Sequence, residues 1–98
     1  MENTIYATVS HLDDFGCTYC FRPGQTLVLK KDPDNPYDDE AILVYDRKGN
    51  KCGYVANSVS SVARGTYSAG RLCEKILEEQ QAVIRFILDD VLIIQLID

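Results

Sequence analysis

Residues 32–40, with the sequence DPDNPYDDE, form the densest group of side chains suited to molecular recognition. The segment contains Pro33 and Pro36, two of the chain's three prolines, and it places an aromatic side chain, Tyr37, beside a carboxylate, Asp38. The residue before a proline is disfavoured in helix, and Asp and Asn side chains stabilise turns by bonding to nearby backbone. We therefore predict a rigid, ordered loop that presents Tyr37 and Asp38 in one geometry.

The four cysteines are the second group with chemical potential, because thiolates bind zinc. Cys17 and Cys20 form one C-x2-C pair, whereas Cys52 and Cys73 stand alone. A structural zinc site usually needs two such pairs, and the position of His11 fits no zinc-finger spacing. We expect no metal and no other cofactor, and we interpret the cysteines as free, mostly buried thiols.

The sequence contains no pattern typical of an enzyme. It has a single histidine, no glycine-rich phosphate loop and no nucleophile–base arrangement. A Tyr–Asp pair alone specifies no reaction. The sequence therefore favours a role without catalysis.

The charge balance limits how the protein can contact nucleic acid. The net charge is −5, with 10 Lys and Arg against 15 Asp and Glu. A surface that binds phosphates regardless of sequence needs many cations, so only a small local site is compatible with this composition. Lys30 and Lys31 are the basic pair nearest the proline-containing loop, and ordinary solvated strand charges are the alternative interpretation.

Length and terminal sequence indicate one domain, residues 1–98, in a cytoplasmic protein. The start, MENTIY, lacks the basic residues and apolar run of a signal peptide. The longest apolar stretch, VLIIQLI, is far too short to span a bilayer. We therefore expect no membrane partner.

Six short segments have the β-branched or alternating pattern of strands. They are residues 4–10, 26–31, 41–45, 52–55, 81–88 and 91–97. Pro23-Gly24 and Gly49-Asn50 are predicted turn centres. The last two strands are apolar at nearly every position, so we expect one face in the core and the other against a helix or a second copy of the chain.

Two short helices are predicted between the fourth and fifth strands. Asn57 or Ser58 is a candidate cap for the first helix, and Ser68 for the second. In the second helix, apolar residues recur at helical spacing from Ala69 to Leu77. Six strands in so short a chain indicate a closed or nearly closed barrel, because closure removes exposed edges. The predicted fold class is α+β, mainly β.

Residues 26–72 resemble the HIRAN domain family. The family pattern is a strand, a charged residue with Pro, then Asn-Pro-Tyr-Asp, Ala-Ile, a strand, a Gly turn and Gly-Tyr-Val. The matching residues are Asp32, Pro33, Asn35, Pro36, Tyr37, Asp38, Ala41, Ile42, Val44, Gly49, Gly53, Tyr54 and Val55. The following VANS…YSAGRL is similar to free-standing bacterial members, and with the flanking strands the resemblance covers the whole chain. It implies a small six-stranded barrel, OB-like or SH3-like, with two short helices.

The resemblance also implies a nucleic-acid-binding module that serves DNA repair or replication. In fork-remodelling helicases, the HIRAN domain captures the 3′ end of single-stranded DNA. An aromatic ring stacks on the terminal bases, and an acid bonds the 3′-hydroxyl; these roles fall here to Tyr37 and Asp38. The further candidate binding residues in this chain are Phe15, Lys30, Lys31, Tyr54, Asn57 and Arg71.

This chain departs from the helicase members at two places. They carry Arg-Tyr-Tyr after the first strand, where this chain has SHLDDFG, so Phe15 or Tyr19 would supply the second ring. They also carry lysines after the fourth strand, where this chain has Ala56 and Asn57. The replacement cations would be Lys30, Lys31, Arg64 and Arg71.

Two alternatives remain open from the residues. In the first, Tyr37 fills the barrel and Asp38 caps a turn, and neither contacts a ligand. In the second, the module is a protein-interaction domain that does not bind nucleic acid. Weak or moderate self-association through the last two strands is compatible with either function.

Overall fold

Six antiparallel strands close into a barrel in the computed structural model, which describes residues 4–12, 21–58 and 62–97. The elements are β1 (Tyr6–Ser10), β2 (Thr26–Lys31), β3 (Ile42–Asp46), β4 (Lys51–Val55), α1 (Ala69–Cys73), β5 (Glu79–Ile87) and β6 (Leu92–Ile97). The order around the barrel is β1-β4-β3-β2-β5-β6, and β6 pairs with β1 to complete it. The predicted six-stranded barrel is confirmed.

The core is built from residues that alternate along the strands. Leu27 and Leu29 on β2 are fully buried, as are Leu92 and Ile94 on β6, because successive strand side chains point to opposite faces. Leu72 of α1 joins the same core. The helix thus contributes to the interior, while the outward-facing Phe86 of β5 remains 61% exposed.

The second predicted helix is shorter than its apolar spacing indicates. Ser68 caps it as predicted, since its hydroxyl accepts the Arg71 N–H at 3.3 Å, but the helix ends at Cys73. Leu77, predicted on the buried face, is 81% exposed, because the chain turns here to start β5 at Glu79. None of the helices within the described residues is long and apolar enough to cross a membrane.

The first predicted helix falls partly outside the described residues, which omit 59–61. The structure shows the Val62 N–H donating to the Ser58 carbonyl at 3.1 Å, a bond with helical spacing.

The β3–β4 hairpin turns two positions earlier than predicted. The Gly49 N–H donates to the Asp46 carbonyl at 3.1 Å, which places Arg47 and Lys48 at the turn centre. Gly49 follows with φ of 90°, as in a three-residue hairpin loop that closes on a left-handed glycine.

The Asp46 carboxylate stabilises this hairpin. It accepts hydrogen bonds from the Lys48 N–H at 2.8 Å and from the Asn50 N–H and side-chain amide at 2.9 and 3.0 Å. Partial burial alone would raise the pKa of Asp46, but these hydrogen bonds outweigh it and hold the pKa below its ordinary value. Because the folded-state pKa is lowered, ionised Asp46 stabilises the fold above the unfolded-state pKa, and this contribution is lost as the pH falls through the folded-state pKa.

Asp46→Asn is expected to lower the free energy of unfolding at neutral pH by about 1 kcal/mol, the typical net value of a hydrogen bond. The difference from wild type should shrink as the pH falls below the unfolded-state pKa of about 3.9 and through the lower folded-state pKa, where wild type also loses the charge. Denaturant unfolding at several pH values measures it, with the exposed Asp34→Asn as control. A difference that stays constant with pH would contradict the assignment.

Gly53 allows the end of β1 to approach β4 closely. A Cβ atom at this position would lie 2.5 Å from the backbone oxygen of Ser10 and 3.3 Å from a methyl group of Leu12. A backbone atom cannot swing aside, so Gly53→Ala is expected to cost about 1–3 kcal/mol of stability.

Gly70→Ala is the matched control for that variant. Its new Cβ would meet the Glu40 carboxylate at 2.7 Å, the movable end of a flexible side chain, and alanine favours helix over glycine by up to about 1 kcal/mol. Thermal unfolding should therefore show a clear loss for Gly53→Ala and little change for Gly70→Ala. Equal effects would refute the role of the Ser10 contact.

Candidate nucleic-acid interface

The proline-containing loop between β2 and β3 is ordered by its own polar side chains. Its ends meet where the Asp32 N–H donates to the Ala41 carbonyl at 2.9 Å. Within it, the Asn35 side-chain oxygen accepts the N–H groups of Tyr37 at 2.9 Å and Asp38 at 3.2 Å. The predicted rigid loop is thus present, and its backbone is fixed at the two residues of interest.

Tyr37 projects from this loop into solvent, with 95% of its surface exposed. The alternative in which it fills the barrel is therefore wrong. Its backbone is held while its ring is uncovered, an arrangement suited to stacking on a flat ligand.

Asp38 is held by one hydrogen bond to each carboxylate oxygen. Oδ1 accepts the Glu40 N–H at 2.9 Å, so Asp38 does cap the local turn. Oδ2 accepts the side-chain amide of Asn57 at 3.0 Å. Because an ionised carboxylate offers about four acceptor positions, both oxygens can still accept from a ligand hydroxyl.

Asn57 connects the loop to the helix. Besides Asp38, its amide nitrogen donates to the Glu40 carboxylate at 3.3 Å, and its oxygen accepts the Gly70 N–H at 2.9 Å. The Glu40 carboxylate also packs against Gly70. The absence of a side chain at Gly70 leaves room for this contact beside the short helix.

A cavity of about 350 Å³ lies beside the loop, between the ends of β1 and β4. Four of the predicted binding residues line it: Tyr37, Asp38, Tyr54 and Asn57. The volume lies within the range of small-ligand sites, which suits one nucleotide rather than an extended strand.

His11 also lines this cavity, and the sequence indicated it only as a weak candidate for zinc. Its ring lies perpendicular to the ring of Tyr54, with centroids 6.2 Å apart. The sequence places His11 directly after the first predicted strand. It does not show that this strand ends at the cavity, which follows from the pairing of Ser10 with Tyr54.

The predicted basic residues lie away from the cavity. Lys30 is 3.8 Å from the Glu79 carboxylate and 5.0 Å from the centre of the Tyr45 ring. Lys30 and Lys31 line a separate groove with Glu78 and Glu79. None of the described residues that line the 350 Å³ cavity is Lys or Arg.

Arg71 stacks on Tyr67, with its guanidinium carbon 4.2 Å from the ring centre, and Lys75 lies 5.7 Å from the same ring. Arg71 is exposed and directly follows Gly70, the partner of Asn57. Among the predicted cations, Arg71 is therefore the nearest in sequence to a hydrogen-bond partner of Asn57. Arg64 is exposed elsewhere, and Phe15 and Tyr19 lie outside the described residues.

The described cysteines are free thiols. Cys52 is buried and Cys73 is half-buried. Burial raises the pKa of the Cys73 thiol, with Lys31 opposing and Glu40 adding to the effect. Cys17 and Cys20 lie outside the described residues, and among those described no three His, Cys, Asp or Glu side chains are grouped to hold a metal.

Solved structures with this fold include two of similar extent. The HIRAN domain of human HLTF matches with a TM-score of 0.67 and 22% identity, over 96% of this chain and 74% of that one. A protein from Lactobacillus plantarum matches with a TM-score of 0.60 and 22% identity, over 96% of this chain and 95% of that one. No curated protein sequence is significantly similar to this chain.

The family model of the HIRAN domain matches residues 6–88, which include every strand except β6. The match extends beyond the motif of the proline-containing loop to most of the barrel. The chain therefore belongs to the HIRAN domain family of nucleic-acid-binding modules.

Proposed function

We propose that the cavity receives the 3′-terminal nucleotide of a single-stranded nucleic acid. Tyr37 stacks on the terminal base, and Asp38 accepts a hydrogen bond from the 3′-hydroxyl. The observation that carries this proposal is an exposed ring and a carboxylate with spare acceptor capacity, side by side on one ordered loop at the cavity.

Stacking on one ring, the charge of Asp38 and the small number of nearby cations all favour recognition of a strand end over recognition of a long strand. Stacking of one base on an aromatic ring contributes about 1–3 kcal/mol whatever the base. The carboxylate favours a terminal hydroxyl, and it repels a terminal phosphate. Since the described lining of the cavity contains no Lys or Arg, few phosphates are neutralised and the salt dependence of binding should be shallow.

The proposed role is binding without catalysis. Tyr54 and Asn57 complete the cavity wall, and Asn57 holds Asp38 in place. A module that captures free 3′-hydroxyl ends is suited to DNA repair or replication, where such ends arise.

Removing the Tyr37 ring and the Asp38 charge should affect binding differently. Tyr37→Ala should weaken binding of strands with either end about tenfold, because stacking ignores the terminal group. Asp38→Asn should remove the preference for a 3′-hydroxyl over a 3′-phosphate, because it removes the repulsion and still accepts the Glu40 N–H. Fluorescence anisotropy with a labelled oligothymidine in both end forms measures these effects.

Two controls match these variants. Phe86→Ala removes an exposed ring outside the cavity, and Asp39→Asn removes the neighbouring exposed charge. Both should bind like wild type. Equal affinity of wild type for the two ends would refute the 3′-hydroxyl assignment, and absence of binding at millimolar protein would refute the proposed function.

A second candidate function, self-association, is favoured by apolar surface near the β5–β6 turn. Phe86 is 61% exposed, Leu88 is 52% exposed, and Ile87 lies between them. Neighbouring exposed apolar side chains mark interaction surfaces. We expect concentration-dependent dimers in sedimentation experiments, weakened by Phe86→Ser; a monomer at all concentrations would exclude this interface.

A further inference from the structure

The Asp38 carboxylate can accept hydrogen bonds from two ligand hydroxyls at once. Among the described residues, its Oδ1 accepts the Glu40 N–H at 2.9 Å, and its Oδ2 accepts the side-chain amide of Asn57 at 3.0 Å. A carboxylate has about four acceptor positions, which its two oxygens share equally. Each oxygen of Asp38 therefore retains the capacity to accept one further hydrogen bond.

The partners of Asp38 hold both of its oxygens in place. The Glu40 N–H belongs to the backbone of the loop, and the Asn57 amide is itself fixed because its oxygen accepts the Gly70 N–H at 2.9 Å. A rotation of the carboxylate would break these bonds. The two acceptors are thus presented together before any ligand arrives, which lowers the entropy cost of binding a ligand that uses both.

Hydroxyl groups are the ligand groups that suit this cavity best. Asp38 is the one carboxylate among the described residues that line it, and none of them is Lys or Arg. The side-chain oxygen of Asn35 is already used by the N–H groups of Tyr37 and Asp38. The lining therefore selects a ligand by the hydrogen-bond donors that it directs to Asp38, rather than by its phosphates.

A pair of fixed acceptors matches the sugar of RNA better than the sugar of DNA. A terminal deoxyribose has the 3′-hydroxyl alone, so it donates to one oxygen of the carboxylate. A terminal ribose has its 2′- and 3′-hydroxyls on neighbouring carbons and on the same face of the ring, where they can donate one to each oxygen. An acidic side chain binds the ribose 2′-hydroxyl in dinucleotide-binding folds, and this hydroxyl is the group by which proteins distinguish RNA from DNA.

We infer that the site prefers a strand that ends in a ribonucleotide, with the Asp38 carboxylate accepting from both the 2′- and the 3′-hydroxyl. This inference rests on the proposed function, and it identifies the ligand class as RNA or another strand with ribose at its 3′ end. Asp38 then determines the sugar as well as the end. Tyr37 does not contribute to the choice of sugar, because the base that stacks on it is the same in both.

The experiment compares labelled oligothymidines that differ only in the last sugar, by fluorescence anisotropy at one stated salt concentration. Wild type should bind a strand ending in ribothymidine about fivefold more tightly than one ending in deoxythymidine, the value of one added hydrogen bond. Two further ends test the geometry. A 2′-O-methyl ribose lacks the donor, and an arabinose carries its 2′-hydroxyl on the opposite face of the ring, so both should bind no more tightly than deoxyribose.

Three variants assign the preference to one side chain. Asp38→Asn has a single acceptor oxygen and should bind the ribose and deoxyribose ends equally. Asp39→Asn removes the neighbouring exposed charge outside the cavity and should keep the fivefold ratio. Tyr37→Ala should weaken both ends and also keep the ratio. Because the ratio is measured within one protein preparation, a variant that is partly unfolded does not alter it.

The outcomes distinguish this inference from the proposed function. If wild type binds ribose and deoxyribose ends equally, or prefers deoxyribose, and still rejects a 3′-phosphate, the inference fails while end binding stands. If the 2′-O-methyl or arabinose end binds as tightly as ribose, or Asp38→Asn keeps the ratio, the hydroxyl is not read by Asp38 and the inference also fails. If wild type binds none of the strands, both proposals fail.

Discussion

The geometry of the candidate site depends on the side-chain amide of Asn57. Its nitrogen donates to Asp38, and its oxygen accepts from the Gly70 backbone. These bonds connect the loop before β3, the segment after β4 and the start of α1. An amide carries both donors and an acceptor, so one side chain can hold a carboxylate and a backbone N–H at once. An aspartate at position 57 would repel Asp38. An apolar residue there would remove the hydrogen bonds to the Asp38 carboxylate and to the Gly70 N–H.

If the site has the proposed function, this arrangement separates the selection of an end from the strength of binding. The Asn57 amide and the Glu40 N–H orient the Asp38 carboxylate. The nearby cations are engaged elsewhere, with Arg71 on Tyr67 and Lys30 near Glu79. A chain with net charge −5 gains little from long stretches of phosphate backbone. Under the proposed function, discrimination therefore depends on the terminal group and its base, which are the parts of a strand that a cavity of this size would receive.

The sequence predicted the local features well, because each depends on a few adjacent residues. The strand at residues 26–31 has the predicted bounds, Gly24 has the positive φ expected of its turn, and the proline-containing loop is ordered by Asn35. What the sequence did not predict depends on distant partners. Apolar helical spacing continues to Leu77, but Glu79 pairs with Lys30 in the sheet, so the helix ends early.

The sequence also did not predict the contacts of the charged and polar side chains, because many of them join residues that are distant in the sequence. Arg71 stacks on Tyr67, and Asn57 meets Asp38 across 19 positions of sequence. His11 lies in the cavity wall because β1 pairs with β4. A motif assigns Tyr37 and Asp38 to the site, whereas their supporting residues emerge only when the barrel closes.

Closure of the barrel and formation of the cavity involve the same short seam between β1 and β4. The paired residues are Val9 with Val55 and Ser10 with Tyr54, and Gly53 leaves the space for Ser10 to approach. Just beyond the seam, the Ala56 N–H donates to the Thr8 carbonyl and the Ala56 carbonyl accepts the Ala69 N–H. The backbone is thus satisfied where strand pairing stops, and the side chains of His11, Tyr54 and Asn57 are available to line the cavity. None of these three side chains belongs to the buried core, so the seam maintains the barrel while they face the cavity.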